Sequence, residues 1–73
     1  MTLQVGGFVA PANDTTFAVF DNQANFSGIA IRATEDVYAW FNVEGAYIGE
    51  WIVAGNSVYI VFDAQMQEVG LAT

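Results

Sequence analysis

Few side chains in this sequence can do chemistry, and most of those are acids. Asp14, Asp21, Glu35, Asp36, Glu44, Glu50, Asp63 and Glu68 stand against one cation, Arg32, and there is no His, Cys or Lys. Without His the chain lacks the commonest general base and the commonest transition-metal ligand. Without Cys it can form neither a disulfide nor a thiolate site. Thr34-Glu35-Asp36 makes an oxygen-rich loop, and Asp14 and Asp21 flank a candidate strand. Calcium takes about six to eight oxygens, and no loop carries the spaced acidic pattern that supplies them. Paired carboxylates also serve glycoside hydrolysis, but a 73-residue chain offers no deep cleft to raise the pKa of one acid over the other. Gly6-Gly7 is a lone pair with no following helix or Lys, and neither a nucleophile elbow nor a phosphate loop occurs. The chain therefore reads as a non-enzyme with no cofactor and no metal.

Aromatic side chains are the other candidates. Tyr38, Trp40 and Tyr59 fall at alternating positions of strand-like segments, so they share one face. Rings on a sheet can anchor a protein interface or stack on sugars. Stacking on nucleic-acid bases needs accompanying positive charge, and with a net charge of −7 the chain has none to spare. The same deficit excludes phosphate-backbone binding and weighs against anionic membrane surfaces as partners. The acidity serves solubility or attraction to a basic partner.

The elements that must hold these residues are strands. Val, Ile, Phe, Tyr, Trp and Thr are abundant, helical periodicity is absent, and Gly or Asn recurs every eight to twelve residues. This predicts an all-β fold, a small antiparallel β-sandwich or barrel of about six short strands in one domain spanning 1–73. No internal repeat is expected. Phe26–Ala33, Val37–Asn42, Ala46–Val53 and Val58–Ala64 form a C-terminal four-stranded meander. Thr2–Val5 and Thr15–Phe20 are further strands, and Pro11-Ala12-Asn13-Asp14 is a turn. Gln65–Thr73 is an edge strand or an arm.

Turn chemistry sets the expected register. Asn42-Val43-Glu44-Gly45 suits a type I turn followed by a left-handed Gly45, a three-residue loop with a bulge. A two-residue Glu44-Gly45 turn is the alternative, and it exchanges the faces. Gly55-Asn56 reads as a two-residue hairpin loop. The three-residue reading puts Ile29, Ile31, Val37, Ala39, Phe41, Tyr47, Gly49, Trp51, Val53, Val58, Ile60 and Phe62 on a core face. The opposite face is Arg32, Tyr38, Trp40, Asn42, Ile48, Glu50, Ile52, Tyr59, Val61 and Asp63. That face is half apolar, so the N-terminal third covers it or a partner does. Tyr38, Trp40 and Tyr59, with Arg32 and Glu50 in the same row as Tyr38, form the candidate protein interface. A second core layer and a sugar platform with Asn42, Glu50 and Asp63 are the alternatives.

Composition points the same way. At 55% hydrophobic the chain has more apolar surface than so short a sequence can hide, and small folds without disulfides or metals are commonly completed by a partner. Oligomerisation, or docking onto a larger protein, is expected. No secretory signal and no apolar membrane segment is read, and the lack of Cys fits a reducing cytoplasm or a virion. The short, acidic, Cys-free, all-β chain resembles the small decoration or cement proteins of tailed bacteriophage capsids. The resemblance lies in general character, not in a motif, and carries no residue over. It implies a non-enzymatic structural role, binding as trimers or dimers at symmetry or interface points of a capsid. A phage tail or fibre β-module and a small glycan-binding β-domain are the alternatives.

Overall fold

The computed structural model describes residues 1–73. Seven antiparallel strands run in chain order: β1 Phe8–Asn13, β2 Thr16–Phe20, β3 Phe26–Arg32, β4 Val37–Asn42, β5 Tyr47–Gly55, β6 Val58–Asp63 and β7 Glu68–Ala72. Each pairs with its sequence neighbour in one curled sheet, so the meander expected for the C-terminal part extends over the whole chain. The tail is the edge strand β7. The expected strand Thr2–Val5 is only a pair of bridges, and the expected turn at Pro11 lies inside β1. Pro11 fits there because Val9, of the same parity, donates away from β2 to Met1 O. The missing N–H of Pro11 therefore points to the unpaired side of an edge strand.

Residues 1–4 join the two edges of the sheet. Thr2 and Thr73 exchange N–H···O bonds of 2.6 and 2.9 Å, and Gln4 N–H donates to Leu71 O at 2.8 Å. On the other side Leu3 N–H donates to Gly7 O and Val9 N–H to Met1 O. Both edges are thereby hydrogen-bonded to one short segment, which removes two templates for aggregation. Leu3 is carried into the core as a consequence, only 3% exposed.

The register differs from the turn-based expectation, and the difference exchanges faces. Pairing of β3 with β4 is as expected, Ile29 across from Phe41 and Ile31 from Ala39. Phe41 also lies across from Tyr47, but a bulge follows, so Trp40 meets Gly49 and Ala39 meets Glu50. Between β5 and β6, Trp51 meets Val61 rather than Ile60, with a further irregularity beside Gly55. The residues turned inward are therefore Gly28, Ala30, Tyr38, Trp40, Gly49, Trp51, Tyr59 and Val61, with Val9, Val19 and Ala72. Of the expected core face Gly49 and Trp51 are buried inside, and Val53 shares their side at the more exposed end of β5. Ile29, Ile31, Val37, Ala39, Phe41, Tyr47, Val58, Ile60 and Phe62 lie on the outer side of the curl. Both faces are apolar, so the alternation of side chains could not choose between them; the bulges did.

A 21-residue repeat underlies the sheet, contrary to the expectation of none. Phe20, Phe41 and Phe62 recur at this spacing, as do Asp21, Asn42 and Asp63, and Gly7, Gly28, Gly49 and Gly70. The geometry recurs with them. Asp21 Oδ1 accepts the N–H groups of Gln23 and Asn25, Asn42 Oδ1 those of Glu44 and Ala46, and Asp63 Oδ1 those of Gln65 and Gln67, all at 2.9–3.0 Å. Ala24, Gly45 and Met66 take the left-handed position of each loop, with φ of 66°, 85° and 62°. The three-residue loop expected at Asn42 is thus present three times. A bulge follows at Val19/Phe20, Trp40/Phe41 and Val61/Phe62.

Core positions obey the same spacing. Val9, Ala30, Trp51 and Ala72 are each at most 2% exposed. Phe17, Tyr38 and Tyr59 bring their rings into a triangle with centroid separations of 5.2, 5.6 and 5.7 Å. Trp51 stacks on Phe17 at 5.8 Å and meets Trp40 edge-on at 5.9 Å. Such ring pairs each add about 0.5–1.5 kcal/mol beyond area burial. Total accessible surface is 4267 Å², close to the ~4,400 Å² typical of a folded monomer of this mass. The fold is thus as compact as its size allows, and the surplus apolar residues lie on its outside.

Candidate interaction surface

The five residues of the expected interface do not form one surface. Tyr38 is 8% exposed, and Trp40 and Tyr59 are half-buried and packed against the core. The assignment of these three rings to an open face is corrected: the bulge after Trp40 and the one-residue shift of β6 turn them inward. Their alternative role, as core, is the one observed. Gly49 accommodates Trp40, because a Cβ there would stand 3.1 Å from Trp40 Cε3.

Arg32 lies across from Tyr38 at the end of β3, exposed, with Nε donating to Thr34 O at 3.3 Å. Its charge reaches Tyr59, where it partly opposes a raised phenol pKa. That rise comes first from burial, then from the charge and hydrogen bond of Tyr38. Tyr38, Tyr59 and Arg32 are thus brought together, inside and at the end of the curl. Glu50 is separated from them on the outer face, half-buried. There it raises the pKa of Tyr47, behind desolvation of that phenol, through a hydrogen bond and its charge. No polar side chain is buried, and the one unpartnered buried polar atom is Trp51 Nε1.

Exposed apolar residues on the outer face were not singled out from the sequence. Phe8 stacks on Phe20 at 5.2 Å, Phe26 meets Phe20 edge-on at 6.0 Å, and Phe41 meets Tyr47 edge-on at 6.1 Å. Between β3 and β4 lies a groove of about 330 Å³ lined by Phe26, Ile29, Ile31, Phe41, Asn42, Val43 and Gly45. Phe26 is 51% exposed, Val43 58% and Ile31 38%. Pairing explains its walls, since Ile29 is held across from Phe41 and Phe26 across from Phe20. The loop over one end is held in place by Asn42, whose side-chain oxygen fixes Glu44 and Ala46. Asn42 is the only lining residue with a polar side chain, and that oxygen is already engaged. What the groove can do is take up apolar side chains. Turn chemistry places Ile29, Ile31 and Phe41 in the core and gives Phe26 and Val43 no role. The signal that finds them is comparison of the three repeats, in which the corresponding positions are not uniformly apolar.

The chain matches no protein-family model, no curated protein and no solved structure.

Proposed function

We propose that this protein is a non-enzymatic structural or interaction module that assembles with copies of itself or decorates a larger protein assembly such as a capsid. One observation carries the reading. The fold satisfies its own core with the rings of Phe17, Tyr38, Tyr59 and Trp51, yet leaves Phe26, Val43, Ile31 and Tyr47 exposed on the outer face. Contiguous apolar surface on a compact small protein marks a contact surface. The acidic charge keeps such a surface soluble until it is covered. The glycan reading relied on Tyr38, Trp40 and Tyr59 as an open platform, and with those rings inside no particular observation favours it.

The test is the mass of the full chain in solution across a dilution series, by size-exclusion chromatography with light scattering. A dimer or trimer that Val43→Asp converts to monomer supports assembly through the outer face. A monomer at all concentrations that also fails to be retained by any capsid or scaffold preparation overturns the reading.

A further inference from the structure

We infer that the groove between β3 and β4 docks a polypeptide segment in which apolar side chains are flanked by Lys or Arg. This names the partner chemistry of the surface proposed above and rests on that reading.

The repeat supplies an internal control for what the fold itself requires. Twenty-one residues earlier, Ile29, Ile31, Phe41 and Val43 correspond to Phe8, Ala10, Phe20 and Asn22; twenty-one later they correspond to Glu50, Ile52, Phe62 and Ala64. All three sets sit on the same backbone geometry, with the same bulge and the same Asx-held loop. In the first set the stacked rings of Phe8 and Phe20 occupy the space. In the third, Glu50 places a carboxylate there. Only the middle set is both open and apolar throughout. Folding does not demand an exposed Ile31 or Val43, since Ala10 and Asn22 serve in the equivalent places. The middle set therefore has a use outside the fold.

Charge selects the occupant. Glu44 lies between the lining residues Val43 and Gly45. Glu50 extends the row that runs from Ile31 through Ala39. Asp21 begins the loop that leads to Phe26. The sole side-chain cation, Arg32, is turned to the Tyr38–Tyr59 end of the interior, and the N-terminal ammonium donates to Val9 O. An apolar groove with Glu44 in its loop and Glu50 in its row, on a chain of net charge −7, complements a basic segment and repels another acidic one. A second copy of this chain brings the same carboxylates and a charge of −7. The groove is at the small end of ligand sites, which run about 300–1,000 Å³. That size suits one or two anchoring side chains, with flanking charges outside it.

The experiment uses the intact 73-residue chain and two arrays of hexapeptides, each with two central apolar residues, flanked by Lys/Arg in one and by Asp/Glu in the other. Hits are quantified by fluorescence anisotropy at low and high salt. The inference expects basic-flanked peptides to bind, acidic-flanked ones not to bind, and affinity to fall as salt rises. Val43→Glu and Phe26→Ser should each weaken binding at least tenfold, whereas Val69→Glu, an exposed apolar site on β7 away from the groove, should not. Thermal unfolding of each variant establishes that it folds. Equal binding of both arrays, or of neither, overturns the basic-partner inference. If Val43→Glu breaks up a homo-oligomer while no basic peptide binds, the interaction reading stands and the inference fails. If neither mass nor peptide binding depends on the groove, the inference fails, and the interaction reading fails with it if the chain is also monomeric and retained by no capsid or scaffold preparation.

Discussion

Gly49 is the position at which the fold is most sharply testable. A Cβ built there would stand 2.0 Å from Phe62 O, 3.1 Å from the Phe62 carbonyl carbon and 3.1 Å from Trp40 Cε3. The nearest obstacle is backbone in the neighbouring strand, so no rotamer change relieves it. Overpacking that side chains can absorb costs about 1–3 kcal/mol, and this case belongs at the top of that range. The reduced freedom of the unfolded chain returns about 0.4–1 kcal/mol, leaving Gly49→Ala about 2–3 kcal/mol less stable. For a domain of this size each kcal/mol is roughly 4–8 °C, so Tm should fall by about 8–24 °C. That is a large share of a total stability of ~4–11 kcal/mol. Gly28→Ala should cost about as much, because its Cβ would meet Phe41 O at 2.1 Å in the preceding repeat. Gly55 is the control: nothing lies within 4 Å, and Gly55→Ala should be neutral or slightly stabilising. Thermal unfolding followed by circular dichroism reads all three. If Gly28→Ala and Gly49→Ala melted with Gly55→Ala, the close strand approach and the repeat built on it would be refuted.

Other perturbations address the remaining parts. Removing the Asx acceptor in Asp21→Ala, Asn42→Ala or Asp63→Ala deletes two backbone hydrogen bonds each time; each should cost about 1–2 kcal/mol in chemical denaturation, and widely different losses would contradict equivalent loops. Leu3→Ala should cost about 2–5 kcal/mol, since Leu3 is buried where residues 1–4 join the edges; a loss typical of a surface site would mean the segment is not docked. Tyr47 and Tyr59 keep their protons to higher pH in the folded chain than in the unfolded one. Their contribution to stability is therefore complete below the unfolded phenol pKa of about 10 and is lost as pH rises through the folded values above it. Phenolate absorbance should show late titration in the folded protein, reduced in Tyr59→Phe, and ordinary midpoints for both would contradict the packing of Tyr59 against Tyr38.

Much of the architecture was legible in the residues. The loop at Asn42–Ala46 could be read because Asn and Gly45 each have a specific stereochemical use there, and both are found in it. Its two counterparts were hidden, since Ala24 and Met66 hold the left-handed position without the glycine that advertises it. The repeat was hidden for a related reason. Phe17, Tyr38 and Tyr59, or Val9, Ala30, Trp51 and Ala72, match in role more than in identity. Ala30, Trp51 and Ala72 share one buried cluster at very different volumes, so volume is not kept constant at each repeat position.

Composition and turn chemistry by themselves determined an all-β chain whose C-terminal four strands form a meander, with a net charge of −7 and no His, Cys or Lys. They also located Trp51 in the core. They could not decide which side of β3, β4 and β6 is inside. Strand side chains alternate with a period of two, and here both alternations are apolar: Ile29, Ile31, Phe41 and Ile60 on one side, Tyr38, Trp40, Tyr59 and Val61 on the other. With little difference in hydrophobicity between the faces, a shift of one residue decides the outcome. That shift came from bulges, from glycines that admit neighbouring backbone, and from a curl whose interior the large rings fill. These are properties of the assembled sheet, and they leave the aliphatic face outside.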